Sequence, residues 1–313
     1  MEGVALGEIL FNDPHLCGYT GNHPDSLMSC ATCHDKSHNY DIGSDNSHLV
    51  NGRAMGRKGK TTLHNVMPLT NVVFNHEGYF WNGSICPQNP NEGFRSLEDI
   101  VLMAIVADDE MCSTEAQTLA AIRADKRYPA LFKKAFGTEE ITMERIQKAI
   151  AQYVRTLVSG NSKFDRYLQG REQLTPQELH GYVLFTTEEG ADCFHCHGSE
   201  GSPLFTTNQF YNNGLDILPT DDHDRYFFTG RMADRGAYRA PSLRNIAISA
   251  PYMHDGRFNT LDEVLRFYNS GVQPSPYISP LMHHASDGGT RLTPSEIADL
   301  KAFLLTLTDE ELQ

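Results

Sequence analysis

Basic residues are outnumbered in this chain, tryptophan occurs once, and long apolar runs do not occur. Against 40 Asp and Glu stand 26 Lys and Arg, for a formal net charge of −14 and a pI near 5.4. Phosphate binding needs a basic footprint, and no stretch supplies one, so nucleic acid is excluded as a partner. An acidic surface suits a basic protein partner, although charge that keeps the protein soluble is the plainer reading. No window approaches the roughly eighteen consecutive apolar residues of a membrane-spanning helix. The start, Met1-Glu2-Gly3-Val4-Ala5-Leu6-Gly7, lacks a basic segment followed by an apolar one, so the chain is expected to be soluble with any export signal already absent. Repeats at a solenoid period and low-complexity tracts are also missing. What remains is 313 residues, 40% hydrophobic, enough for two domains with real cores, which rules out a disordered or fibrous chain.

Seven Cys is an odd number, and their placing says more than their count. Four fall into two copies of one pattern, Cys30-Ala31-Thr32-Cys33-His34 and Cys193-Phe194-His195-Cys196-His197. C-x-x-C-H is the attachment sequence of c-type haem: two thiols reach the two vinyl groups of one porphyrin, and the His is placed to ligate iron. Two copies, each ending in His, predict two covalently bound haem c groups, with zinc knuckles as the alternative. In bacteria haem is attached outside the cytoplasm, which predicts a periplasmic or exported protein. Cys17, Cys86 and Cys112 remain. Cys86 with Cys112 is the pair expected if a disulfide forms in that oxidising compartment; three buried free thiols are the alternative.

The motifs divide the chain into two halves. Ile146, Ala149, Ile150, Tyr153, Val154 and Leu157 recur on one face of a helix expected over 146–158, and Ser159-Gly160-Asn161-Ser162 ends it. The boundary is placed there, giving domains 1–160 and 161–313. Leu174-Thr175-Pro176-Gln177-Glu178 and Leu292-Thr293-Pro294-Ser295-Glu296 each read as Thr N-cap, Pro at the first helical position and Glu two residues on. Ser96-Leu97-Glu98-Asp99 is a weaker cap for a helix through about Ala107. Two stretches near the haem motifs, 35–61 and 198–239, carry Gly, Asn, Asp and His without a clear period. The expected fold is mainly α: two cytochrome c-like haem domains with long loops.

Two haems with no further redox group leave an electron carrier, with both irons closed by protein ligands, or an enzyme with one iron open to a small oxidant. Phe80-Trp81-Asn82-Gly83, Ser96-Leu97-Glu98-Asp99, Glu110-Met111, Arg239-Ala240-Pro241-Ser242-Leu243-Arg244-Asn245 and Ala250-Pro251-Tyr252-Met253-His254-Asp255-Gly256 stand beside the two haem motifs. Together they resemble the bacterial dihaem cytochrome c peroxidase and MauG superfamily, over nearly the whole chain.

The resemblance implies a peroxide-reactive N-terminal haem with His34 as its proximal ligand, and a six-coordinate, electron-handling C-terminal haem ligated by His197. Glu110 matches the distal acid/base, which heterolysis of H2O2 requires to move a proton from one oxygen to the other. Trp81 matches the aromatic between the two haems. The distal His that closes the reactive haem of some peroxidases is replaced here by Asn51, which implies an open iron, with His48 and Met55 near enough to substitute. The sixth ligand of the second haem is a Met in the classical peroxidases and a Tyr in MauG, and the same count from His254 lands on Tyr268. A phenolate lowers the potential and favours Fe(IV), whereas a thioether raises it. Met282 is the alternative ligand.

Some positions depart from the family. Ile100 and Ala104 stand for a distal Gln and Pro, and 84–94 reads as an insertion. A Ca2+ often sits between the haems, and the position of its Asn ligand holds Gly59. By family precedent His195 and His254 are structural. The resemblance thus implies an H2O2-dependent dihaem oxidoreductase, MauG-like, storing two oxidising equivalents as a bis-Fe(IV) state to oxidise a Trp or Tyr of a partner protein. A conventional dihaem cytochrome c peroxidase, fed by a small cytochrome or cupredoxin, is the alternative, and a non-enzymatic electron carrier comes third.

Overall fold

The computed structural model describes residues 1–21, 27–85, 96–199 and 201–312. In chain order the helices are α1 (Glu2–Asn12), α2 (Leu97–Val106), α3 (Glu115–Ala124), α4 (Tyr128–Phe136), α5 (Met143–Arg155), α6 (Lys163–Leu168), α7 (Pro176–Thr186), α8 (Phe194–His197), α9 (Arg225–Thr229), α10 (Leu261–Ser270) and α11 (Pro294–Leu305). Two antiparallel ribbons complete the regular structure, β1 (Leu49–Val50) with β2 (Arg53–Ala54) and β3 (Phe210–Tyr211) with β4 (Tyr238–Arg239). Both ribbons lie in the aperiodic loops around the haem motifs.

The capping signals are realised as hydrogen bonds. Thr175 and Thr293 each accept from the backbone N–H of a Glu, Glu178 and Glu296, whose carboxylates return the bond to the N–H of the cap. Ser96 and Asp99 do the same for α2. The helix expected over 146–158 spans Met143–Arg155 instead, because Thr142 caps it earlier and the Thr156 hydroxyl turns back to the carbonyl of Tyr153 at 2.7 Å. Ser and Thr compete with the helix ladder in this way.

The chain divides into two compact units, Met1–Phe74 with Ile85–Val158, and Asn75–Ser84 with Ser159–Gln313. The segment Asn75–Ser84, which carries Trp81, therefore belongs to the second unit, whereas a single cut near residue 160 assigned it to the first. It is anchored there by hydrogen bonds: the backbone N–H of Arg239 donates to the Trp81 carbonyl at 2.7 Å, and the Asn82 side-chain amide donates to the His223 carbonyl at 2.8 Å. The pattern of apolar residues cannot reveal such an excursion, since it is held by polar contacts.

In the first unit α1 packs on α5. Gly7 lets the two backbones meet, since a Cβ there would lie 1.9 Å from the Ala149 carbonyl oxygen. Around this crossing Leu6, Leu10, Phe11, Ile146 and Ile150 are buried. In the second unit α7 packs on α11, and a Cβ on Gly181 would lie 1.9 Å from the Asp299 oxygen. Phe164, Phe185, Phe205 and Phe303 fill this core, and each such burial contributes roughly 1.5–3 kcal/mol. Beneath it Arg244 holds Asp165 by two parallel bonds of 2.7 and 2.6 Å.

Candidate active site

In the first unit Cys30–Thr32 form a single tight turn, capped by reciprocal bonds between Ser29 and Thr32. The turn carries on through His34, whose N–H reaches the Cys30 carbonyl at 3.0 Å. The imidazole Nδ1 lies 2.7 Å from the Tyr40 carbonyl oxygen. A carbonyl only accepts, so Nδ1 carries the proton and Nε2 keeps its lone pair for a metal. Burial drives the His34 pKa down to about 4, which keeps the ring neutral.

Glu110 is brought to the same place. Gly56 lets the chain after β2 close on the Asp108–Cys112 turn, because a Cβ there would lie 2.2 Å from the Asp109 carbonyl oxygen. Arg57 then clamps the turn, its N–H to the Glu110 carbonyl at 2.8 Å and its guanidinium to the carbonyls of Met111 and Cys112 at 2.7 and 2.6 Å. Burial, with the charge of Asp109 added, raises the Glu110 pKa to about 7. After burial itself, the Glu110 charge is what most raises the thiols of Cys30 and Cys33, so the carboxyl faces the haem motif. A carboxyl poised near neutrality there suits proton transfer.

Asn51 is exposed in the turn between β1 and β2, with a left-handed φ of 50°. The nearby His48 ring is engaged with the Met55 carbonyl, 3.0 Å from Nδ1. Gly59, at the aligned calcium position, has a left-handed φ of 82°. The Cys17 thiol donates to the Pro14 carbonyl at 3.2 Å, Cys112 is in no disulfide among the described residues, and Cys86, with residues 87–94 of the expected insertion, lies outside them.

In the second unit Cys193 precedes α8, and the His197 N–H reaches the Cys193 carbonyl at 3.0 Å. Here the His197 Nδ1 is oriented by the carbonyl of Pro241, 3.1 Å away and far along the chain. Burial again lowers this pKa to about 4. Tyr268 projects from α10 into a cluster with Leu215, Phe267 and Val272, which Met253, Phe258, Ile278, Met282 and Ala285 also line. Burial raises its phenol to about 12; the Asn213 amide, which donates to the phenol oxygen at 3.0 Å, opposes this, and the charges of Cys196 and Cys193 add to it. Tyr268 and the second motif therefore share one neighbourhood, as do Glu110 and the first. Sequence reasoning missed Asn213 and Arg57. The run Tyr211-Asn212-Asn213-Gly214 signals only a turn.

Trp81 is buried. Gly83 follows it with a φ of 72°, and a Cβ there would strike the Phe210 ring, over which the Arg225 guanidinium lies at 3.5 Å. His254 stacks on Tyr238, ring centres 3.7 Å apart.

Both donor sets fit c-type haem: two Cys on a tight turn and a neutral imidazole with Nδ1 tied back to a backbone carbonyl. The family model for di-haem cytochrome c peroxidase matches residues 1–173. The methylamine utilization protein MauG of Methylorubrum extorquens is 32% identical, the alignment covering 99% of this chain and 79% of that protein. The cytochrome c551 peroxidase of Nitrosomonas europaea is also 32% identical, covering 98% and 80%. Among solved structures, a MauG-like protein associated with microbial copper homeostasis superposes with a TM-score of 0.83 at 33% identity, covering 99% of this chain and 90% of that one. The diheme peroxidase BthA of Burkholderia thailandensis shares the fold, with a TM-score of 0.76 at 23% identity over 98% of this chain and 86% of that one. The chain belongs to the di-haem cytochrome c peroxidase family. It is a mainly helical oxidoreductase of two cytochrome c-like domains, and the family implies two haem c cofactors and peroxidase chemistry on H2O2. Among the described residues no helix is long and apolar enough to cross a membrane.

Proposed function

We propose that this peroxidase works in the MauG manner, gathering two oxidising equivalents from H2O2 and spending them on a Trp or Tyr of a partner protein. One observation carries the reading: a half-buried phenol, Tyr268, stands beside the second haem motif with an amide donor on its oxygen. When bound, the two haems supply the reaction with H2O2 and the storage of oxidising equivalents.

In this reading Cys30 and Cys33 attach the first haem and His34 ligates its iron; Cys193, Cys196 and His197 do so for the second. Glu110 moves one proton between the two oxygens of H2O2, and its pKa near 7 supports that role. With Asn51 exposed in its turn, the first haem would keep a position free for H2O2. Trp81 would carry oxidising equivalents towards the second haem. Tyr268 would be the further protein ligand there, as the phenolate, since a metal binds the deprotonated donor, and the Asn213 amide would donate to its oxygen. Covalent haem attachment supports a periplasmic location.

Met282 packs in the same cluster as Tyr268, and that favours a second reading, a conventional cytochrome c peroxidase taking electrons from a small cytochrome or cupredoxin. EPR on the diferric protein before and after one equivalent of H2O2 separates the two. The MauG-like reading expects both ferric signals to vanish without a matching organic radical, and Tyr268→Phe to abolish that shared loss. Should nothing react until one haem is reduced, the conventional reading replaces it, with Met282 as ligand.

A further inference from the structure

We propose that Glu188, His195 and His283 bind one divalent transition-metal ion of borderline softness, such as Zn2+ or Cu2+, with Asp192 orienting both imidazoles from behind. This goes beyond the peroxidase chemistry and does not depend on which residue closes the second haem.

One donor atom from each of Glu188, His195 and His283 lies within 4.8 Å of the other two. The carboxylate of Asp192 is almost wholly buried, its side chain 5% exposed, and it engages both rings: Oδ1 lies 2.5 Å from the His195 Nδ1, and Oδ2 lies 3.0 Å from the His283 Nδ1. An ionised carboxylate only accepts, so the hydrogen-bonded Nδ1 of His195 holds a proton and its Nε2 presents a lone pair, while His283 stands at ion-pair distance from the same carboxylate. Carboxylate, imidazole and metal in line is the arrangement that fixes a ligating His. Asp192 takes up this position through a left-handed φ of 54°, a conformation Asp tolerates better than most residues.

Glu188 completes the set. Its Oε1 lies 3.7 Å from the His195 Nε2, too far for a hydrogen bond. Donors about 2.0–2.1 Å from a tetrahedral ion sit roughly 3.3 Å from one another, so a shift of a few tenths of an ångström in an exposed side chain closes this edge. The backbone carbonyl of Glu188 also accepts from the His284 Nε2 at 2.8 Å, which fastens this loop to the turn His283–Asp287. The rings of His195 and His283 are nearly perpendicular, at 78° with centres 5.0 Å apart. Two imidazoles and one carboxylate suit Zn2+, Ni2+ or Cu2+ better than Ca2+ or Mg2+. Three protein donors leave a position for water, and Glu188 and His283 are exposed, so an ion can enter. His195 lies between Cys193 and Cys196, so the ion would clasp the loop of the second haem motif to the turn that follows Met282.

The test is isothermal titration of Zn2+ into holoprotein stripped by a chelator, together with EPR of the same protein loaded with Cu2+. One Zn2+ per chain is expected, with His283→Ala and Glu188→Gln each weakening binding about tenfold or more and Asp192→Ala by roughly 10–100-fold. The Cu2+ signal is expected to carry hyperfine structure from two nitrogens, falling to one in His283→Ala. Unchanged Soret bands and thermal midpoints in the variants exclude a folding defect as the cause. The proposal is overturned by a holoprotein that takes up no stoichiometric Zn2+, by Zn2+ binding that survives both His283→Ala and Glu188→Gln, or by a Cu2+ signal without nitrogen structure.

Discussion

In the first unit Gly7 on α1 meets Ala149 on α5, and one helical turn further on the rings of Phe11 and Tyr153 cross with centres 5.2 Å apart. In the second, Gly181 on α7 meets Asp299 on α11, and the rings of Phe185 and Phe303 cross at the same 5.2 Å. The likeness extends to the second residue past the later helix of each pair: Leu157 offers its carbonyl to the N–H of Asn71 at 2.7 Å, and Leu307 to that of Asn245 at 3.0 Å. Asn71 and Asn245 are both left-handed, with φ of 63° and 61°. One frame has been used twice. The differences lie in what faces each haem motif, a carboxyl that titrates near pH 7 in one unit and a phenol held protonated by burial in the other. Scaffold and chemistry are therefore separable: the helix crossing presents the Cys and His, and loop residues decide what can be done with them.

The largest expected effect tests the chemical side of that contrast. Glu110→Gln should slow the reaction with H2O2 by roughly 10²–10⁴-fold, as measured by stopped-flow in the Soret region. The wild-type rate should rise as pH passes about 7, where the carboxyl becomes the base, and the variant should lose that dependence. A peroxide rate indifferent to the substitution would remove the distinction between the two units.

Next comes the buried ion pair of the second unit, Asp165 with Arg244. Burial raises the Asp165 pKa, but its bonds to Arg244 and Ser162 outweigh burial, and the net shift is downward. Such a group stabilises the fold above the ordinary carboxylate pKa and loses that contribution as pH falls through its depressed value. Arg244→Met, leaving Asp165 buried and unpaired, should cost about 3–5 kcal/mol and flatten the acid side of the stability profile in urea titrations.

Smaller effects probe the shared frame. Gly7→Ala and Gly181→Ala should each cost about 1–3 kcal/mol, by comparable amounts, because each forces a Cβ against backbone. Unequal losses in urea titrations would show that the crossings only look alike. The smallest difference concerns caps: Thr142→Ala should cost about 1 kcal/mol, and Thr293→Ala somewhat more, since Glu296 returns a bond to its N–H. Thermal midpoints of the two variants check the order.

Much of this was legible in residues. The haem motifs, the Thr-Pro caps of α7 and α11 and the periodic face of α5 rest on local spacing, which survives in any sequence. The doubled frame is also written in the sequence and went unread: Gly7-Glu8-Ile9-Leu10-Phe11 and Gly181-Tyr182-Val183-Leu184-Phe185 carry the same glycine with the same aromatic one turn later. Leu69-Thr70-Asn71-Val72 and Leu243-Arg244-Asn245-Ile246 likewise repeat around the two left-handed Asn, but each pair is short and loops of different length separate them. Asn213 escaped notice as a loop amide in a turn-rich run. The fine end of α5 depended on one hydroxyl, that of Thr156.

The excursion of Asn75–Ser84 has a bearing on how such a protein can be inherited. Because that stretch supplies the Trp81 and Gly78 carbonyls to the buried Arg239, the second unit is not a contiguous piece of gene. Recombination at the junction before Ser159 would deliver a half whose Arg239 has lost those acceptors, and the recipient would have to provide them anew. The two units are thus bound to travel together through duplication and transfer, and a lineage can vary their loops far more readily than it can part them.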